Sequence, residues 1–273
     1  MSRLRVLLYE TPHDPHMNLA FEEAFARARA TGVVGDTLRI WRNSNAVVIG
    51  YFQEAAIEVN MSVAEARGIR VVRRFTGGGA VYHDLGNLNF AIALRPRERG
   101  ESAIDYLYSH VIKGVLNALK LLGAAPRLEN VNDVVVGGRK VAGIAASTRW
   151  GGMFLHGCLL VSTDLGVLSE VLRVPKEKLR DKGVSEVKYR VANLEEVLGR
   201  RVDYYELVDA IVKGYEELLG AEAYFDIPSR EELEAAKILY EYKYSRDEWN
   251  LQRAPSFYFK EVEEALRDLL KER

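Results

Sequence analysis

The residues best suited to chemistry gather in one stretch, Arg73-Arg74-Phe75-Thr76-Gly77-Gly78-Gly79-Ala80-Val81-Tyr82-His83-Asp84. Three consecutive glycines leave the backbone open to close approach, and their amides can line an anion site. Arg73 and Arg74 stand just upstream, placed to pair with phosphate or carboxylate. His83, Asp84 and Asn87 follow downstream. The stretch is not a P-loop, because no Lys-Ser or Lys-Thr follows the glycines, and it lacks the spaced glycines of a dinucleotide fingerprint. Taken alone, it reads either as a phosphate-binding loop of another kind or as a glycine hairpin with ordinary flanking charges.

A second candidate is Asn132-Asp133-Val134-Val135-Val136-Gly137-Gly138-Arg139-Lys140-Val141-Ala142-Gly143. Two glycines between β-rich runs predict a hairpin with a type I′ or II′ turn. Strict alternation puts Lys140 and Ala142 on one face and Arg139 and Val141 on the other. A lysine beside small residues that points into a cleft supplies a point charge for an oxyanion or phosphoryl group; otherwise it is a solvated strand end. Asp133, on the partner strand, is placed to hold Mg²⁺ or to orient the lysine. His156 and Cys158 alternate on the next run and share a face. They read either as a thiolate nucleophile with its base or as an inert buried cysteine beside a core histidine.

These side chains need elements to hold them. Phe21, Ala24, Phe25 and Ala28 recur at helical spacing, which predicts an amphipathic helix over Asn18 to Ala30, stopped at Thr31-Gly32. Strands are expected over Thr37 to Trp41, Ala46 to Ile49, Ile69 to Arg73 and Asn89 to Leu94. A single stripe of Ile104, Leu107, Tyr108, Val111, Val115, Leu119 and Leu122 predicts one helix from Ala103 to Leu122, capped by Gly123. Asp133 to Val136, Arg139 to Ser147 and Phe154 to Val161 read as an antiparallel meander. Ser229 and Glu232 have capping-box spacing ahead of a helix to about Tyr242. Ser245 to Ser256 reads as a polar loop, and Val262, Ala265, Leu266 and Leu269 mark a last helix. Without strict βαβ alternation, this order favours an α+β fold on a mixed, largely antiparallel sheet flanked by helices.

Composition bounds the partners. The 273 residues are enough for about one to two domains. With 38 basic and 39 acidic side chains the net charge is −1, which argues against a nucleic-acid or anionic-membrane binder. One cysteine rules out an intramolecular disulfide and a Cys-rich zinc site. The longest early apolar run, Val6 to Tyr9, is too short for a signal segment or a membrane span, so a soluble, cytoplasmic protein is expected.

Several ordered segments together resemble one family. RRFTGGGAVYHDLGNLNF resembles the signature of lipoate–protein ligase A. NDVVVGGRKVAG and then LHGCLL resemble its second and third motifs in the right order. NLAFEE, LRIWRNSNAVVIG, KGVSEVKYRVANLEEVLG and EWNLQRAPSF extend the likeness over nearly the whole chain. The resemblance implies a fold shared with biotin protein ligases and class II synthetase catalytic domains. It also implies two reactions. Lipoate attacks ATP to give lipoyl-adenylate, and a lysine of a lipoyl domain then takes the acyl group. Acceptors would be the lipoyl domains of 2-oxoacid dehydrogenase E2 components and the glycine-cleavage H protein.

On this resemblance, Lys140 bridges the acyl carbonyl and the α-phosphate and stabilises both transition states. Arg74, Thr76, Gly77, Gly78, Gly79, Ala80, Val81 and Tyr82 line the acyl-adenylate site. His83, Asn87 and Asp133 serve phosphates and Mg²⁺. Leu19, Trp41, Arg74, Gly78, Lys140 and His156 surround the lipoate chain. Related octanoyltransferases work through a cysteine and need no ATP. Their nucleophile falls at Met153 in one type and within about Leu128 to Asp133 in another, and neither place holds a cysteine. Residues 1–256 are expected to form the catalytic domain. Residues 257–273 are expected to add one helix in place of an accessory domain, so a separate small accessory subunit is expected as partner. The remaining alternatives are an ATP-independent octanoyl or lipoyl transferase and a non-catalytic lipoate-binding protein.

Overall fold

The computed structural model describes residues 2–96, 102–173, 191–254 and 259–270. After strand β1 (Ser2–Leu7), helix α1 (Pro15–Thr31) starts with proline in its first turn, where the missing N–H costs nothing. The Asp14 carboxylate accepts from the Met17 amide at 3.1 Å, and Gly32 closes the helix at φ +81°. The predicted helix lies inside this span. Its polar side is also buried, because Glu22, Glu23 and Arg27 face other elements rather than water.

Next come β2 (Thr37–Trp41), β3 (Asn45–Ile49), β4 (Arg70–Arg73), β5 (Val81–Asp84) and β6 (Asn87–Leu94). The expected helix from Ala103 is broken in character. Ala103–Tyr106 is α-helical, Leu107–Val111 is a π turn, and α2 (Lys113–Leu121) continues. The π turn rotates the apolar stripe. Leu107, Val111, Val115 and Leu119 are buried, while Ile104 is left exposed. Strands β7 (Arg127–Glu129), β8 (Asp133–Val136), β9 (Arg139–Ser147) and β10 (Met153–Leu160) follow, the last three forming the expected meander. Helix α3 (Tyr204–Leu219) leads to β11 (Ala221–Asp226), then α4 (Arg230–Leu239) and α5 (Lys260–Leu270). Ser229 and Glu232 make the predicted capping box at α4.

Eight strands form one sheet in the order β11-β1-β2-β6-β10-β9-β8-β7. The pairings of β1 with β11 and with β2 are parallel, and all the others are antiparallel. A second, three-stranded sheet, β4-β3-β5, had no counterpart in the expectation of one sheet. The fold is α+β and the large sheet is mixed and mostly antiparallel. Helices α2 and α3 cover one face with a core that includes Phe90, Ile92 and Leu155. Helices α1, α4 and α5 cover part of the other around Phe21, Phe25 and Phe154.

The tail is less loop-like than its composition. Asp247–Asn250 is a helical turn that buries Trp249 and Asn250 inside the predicted loop. In the last helix Leu270, rather than Ala265, completes the buried stripe with Val262 and Leu266. The segment at 182–190 and the expected boundary between 256 and 257 lie outside the described residues. Among the described residues no helix is long and apolar enough to cross a membrane.

Candidate active site

The site lies on the face of the large sheet opposite α2 and α3. Register places Trp41 of β2, Asn89 of β6, Cys158 of β10, Gly143 of β9 and Asp133 of β8 as successive neighbours in one row across five strands. Ala91, His156 and Ala145 form the adjacent row. Small side chains in these rows leave a cavity. Leu19 and Glu22 of α1 line one side of it. Val48, Arg74, Gly78 to Val81 and His83, from the small sheet and its glycine loop, line another.

Lys140 enters through an irregularity. The hairpin turn has φ +59° at Gly137 and +80° at Gly138, the type I′ geometry. Val135 opposes Lys140 but Val134 opposes Ala142, so the register shifts and Val141 is an extra residue. This bulge corrects the expected alternation. Val141 and Ala142 both enter the core, and Lys140 falls on the face of Gly143 and Ala145. Its ammonium lies 2.5 Å from the Asp133 carboxylate. The stem passes over Gly143, where a Cβ would stand 2.9 Å from Nζ and 3.1 Å from Cε. Asp133 itself is buried and does not line the cavity.

The two arginines of the signature separate. Arg74 lines the cavity, and its guanidinium donates to Thr76 Oγ1 at 3.0 Å and to the carbonyls of Gly77 at 2.7 Å and Gly79 at 2.8 Å. It gathers the loop from inside. Gly78 needs its φ of +91°, and a Cβ there would sit 2.8 Å from the guanidinium. Burial lowers the Arg74 pKa to about 10, which leaves it charged at neutral pH. Arg73 does not reach the cavity, contrary to the anion-pairing expectation. It is fully buried and donates to the carbonyls of Gly50, Tyr51, Gln53, Trp249 and Asn250.

A hydrogen-bonded chain connects α1 to the loop. Glu22 Oε2 lies 2.9 Å from His156 Nδ1, and His156 Nε2 lies 2.7 Å from Thr76 Oγ1. The Glu22 carboxylate accepts, so His156 Nδ1–H donates to it, and Nε2 accepts from the Thr76 hydroxyl. Both ring nitrogens are therefore engaged, and His156 does not serve Cys158 as a base. His83 Nδ1 lies 3.2 Å from Asn43 Nδ2, so the amide donates and Nε2 carries the proton, without a partner. Burial, then Arg74 and His156, lower the His83 pKa to about 3.

The cavity brings together Leu19, Trp41, Arg74, Gly78, Gly79, Ala80, Val81, His83, Lys140 and His156. Other predicted site residues lie off it. Tyr82 alternates with Val81 and His83 along β5, so its ring points into the core under the small sheet and its hydroxyl donates to Asn45. Gly77 contributes a carbonyl to Arg74, and Thr76 acts through His156 and Arg74. Asn87 is fully buried two residues before Asn89, outside the cavity lining, with neither side-chain polar atom partnered. The lining residues missed from sequence include Glu22, Asn89 and Gly143. Glu22 stands one helical turn from Leu19, and Asn89 shares a strand face with Asn87, so periodicity held both signals. Among the described residues no group of three His, Cys, Asp or Glu side chains is placed to hold a metal.

The family model for the lipoyl protein ligase A/B catalytic domain matches residues 14–216. A structure described under a bi-partite lipoate protein ligase and its E2 lipoyl domain from Thermoplasma acidophilum has TM-score 0.83 and 36% identity, covering 93% of this chain and 98% of that one. A lipoate protein ligase structure from the same organism with bound lipoic acid gives 0.81 at 35% identity, covering 92% and 99%. A lipoate-protein ligase A bound with ATP gives 0.81 at 35%, again covering 92% and 99%. Matched over most of its length in sequence and in fold, the chain belongs to the lipoyl protein ligase A/B catalytic-domain family.

Proposed function

We propose that this chain is the catalytic subunit of an ATP-dependent lipoate–protein ligase. The observation that carries the reading is Lys140, held by Asp133 over Gly143 at a cavity whose walls include the apolar side chains of Leu19, Trp41, Val48, Ala80 and Val81. The apolar walls suit an acyl chain, and the ammonium suits its carboxylate.

In the first reaction a lipoate carboxylate oxygen attacks the α-phosphorus of ATP, and pyrophosphate leaves. Two anions must approach, so fixed positive charge matters most. Lys140 offsets the charge that develops between the carboxylate and the α-phosphate. Arg74 keeps the glycine loop in the shape that presents Gly78 and Gly79 to the adenylate. In the second reaction the acceptor lysine attacks the acyl carbon and AMP leaves, with Lys140 stabilising the oxyanion. Leu19, Trp41 and His156 hold the acyl chain, and His83 donates from Nε2.

Mg²⁺ typically keeps several waters and takes one or two carboxylates plus substrate phosphates. Asp133, the carboxylate expected to hold the ion, is buried, paired with Lys140 and off the cavity lining, so as placed it does not fit a magnesium–nucleotide complex. Acceptors are lipoyl domains of 2-oxoacid dehydrogenase E2 components and of the glycine-cleavage H protein. The bipartite organisation of the T. acidophilum ligase supports a requirement for a separate small subunit. The catalytic domain spans residues 1–256, and the protein acts in the cytoplasm.

Mass spectrometry of an apo lipoyl domain tests this, with ATP, lipoate and the small subunit each omitted in turn. Transfer is expected only in the full mixture, and Lys140→Ala should lower adenylate formation about 10²- to 10³-fold. Transfer from an acyl carrier without ATP would establish a transferase instead. Full activity without a partner would remove the subunit requirement.

A further inference from the structure

The proposed reaction leaves one guanidinium of the glycine signature unused. Arg73 is fully buried and does not line the cavity. Its Nη1 donates to the carbonyls of Gly50 at 3.0 Å, Tyr51 at 3.1 Å and Gln53 at 2.6 Å. These residues form a turn closed by the Gln53 amide, which donates to the Gly50 carbonyl at 3.1 Å. The remaining carbonyl of the turn, on Phe52, accepts from Arg253 at 3.0 Å. With all four carbonyls taken by charge-assisted bonds, the turn is held in one shape.

This turn supports the glycine loop from outside the cavity. The Tyr51 amide donates to the Thr76 carbonyl at 2.8 Å, and the Phe52 ring lies 3.9 Å from where a Cβ on Gly77 would stand. Gly50 packs so closely on the backbone of Gly77 and Gly78 that a Cβ there would overlap the Gly78 carbonyl oxygen. Arg74 draws the same loop inward from the cavity side. The far side of Arg73 is tied as well. Nε donates to the Trp249 carbonyl at 2.8 Å and Nη2 to the Asn250 carbonyl at 3.1 Å. The Arg73 amide donates to Asn250 Oδ1 at 3.0 Å, and its carbonyl accepts from Trp249 Nε1 at 2.8 Å. All three guanidinium nitrogens thus meet backbone carbonyls, and the planar fork spans two segments at once.

Resting on the lipoate-ligase reading, we infer that Arg73 is a positioning residue for ATP. It fixes the Gly50–Gln53 turn against the Trp249–Asn250 segment, the turn fixes the glycine loop, and the loop presents its backbone to the nucleotide. Leu19, Trp41 and His156, which take the acyl chain, stand on α1 and the large sheet rather than on the small sheet and its loop. Nucleotide affinity therefore depends on Arg73 more than acid affinity does.

The test is calorimetric titration of the full chain with α,β-methylene-ATP and, separately, with lipoate. Arg73→Lys keeps the positive charge, but one ammonium cannot reach both segments. It should weaken nucleotide binding about tenfold and lipoate binding less than about threefold. An arginine that acted on phosphate through its charge alone would tolerate this change. Gly50→Ala pushes on the same loop from behind without touching a charge. The same split between the two ligands is expected there, and this variant decides the matter if Arg73→Lys does not fold. Unchanged nucleotide affinity in the folded variants overturns the inference, and so does an equal loss for both ligands, which is general damage. Either result leaves the ligase reading intact. A wild-type chain that binds neither ligand would overturn both.

Discussion

A lysine has a long flexible stem, and its use in a cleft depends on what stops it from extending into water. Here Asp133 attracts the ammonium, and Gly143 gives the stem a place to lie. Gly143→Ala would force Nζ and Cε aside while leaving every charge in place. Displacements of about 1 Å at a reacting centre can cost about 10²-fold. Single-turnover adenylate formation should therefore fall between tenfold and a hundredfold, with lipoate affinity little changed. At this scale the sequence was legible where side-chain type alone decides. Lys140, Arg74, His83 and the need for glycine at 78 were readable from chemistry and family motifs. Arg73 was not, because an arginine that bonds to backbone carbonyls looks in sequence like one that binds phosphate. The partnership of Lys140 with Gly143 was hidden by the bulge, since a one-residue slip moves a side chain to the other face.

Among the elements, the contact of α1 with the C-terminal helices carries the most concentrated charge. Glu23 is fully buried and lies 2.7 Å from Lys243 and 2.9 Å from Arg27, and it accepts from the Tyr244 hydroxyl at 2.6 Å. Glu23→Ala leaves Lys243 buried without this counter-charge, while Arg27 keeps its ion pair with Glu263. It should cost about 3–5 kcal/mol, visible as a lowered urea midpoint. The helices themselves were legible from apolar spacing, and α4 from its capping box. Other element features had no local signal. The π turns at Leu107–Val111 and Tyr240–Tyr244 reset the helical phase without a glycine or proline to mark them. The charged face of α1 looks solvated until the segment more than 200 residues later folds over it. The second sheet was missed because its strands are short and its order, β4-β3-β5, follows from pairing rather than spacing.

For the whole molecule, two fully buried groups with large shifts contribute to the response to acid. Burial alone would raise the Glu23 pKa, but Lys243 and Arg27 outweigh it and lower it to about 2, from 4.5. The unfolded chain then binds the extra proton first, so this stabilisation is complete above pH 4.5 and is lost as pH falls toward 2. Burial holds His83 at about 3, from 6.5, so the folded chain keeps it neutral while the unfolded chain protonates. That too makes stability rise with pH, between about 3 and 6.5. Both slopes have the same sign. Urea midpoints should decline steadily from pH 6.5 downward, and His83→Gln should flatten the upper part of the curve. A midpoint independent of pH over that range would contradict the assignment.

The brace around Arg73 also has a consequence for the order of synthesis. Three of its carbonyl partners lie within about two dozen residues, but the other two belong to Trp249 and Asn250, 176 and 177 residues later. On the ribosome the glycine signature emerges first and stays only partly tied until residues 249 and 250 have followed. The nascent protein thus exposes every side chain of its chemistry well before it can fix their geometry. The brace beside the glycine loop is complete only when the segment carrying Trp249 and Asn250 has folded back onto Arg73.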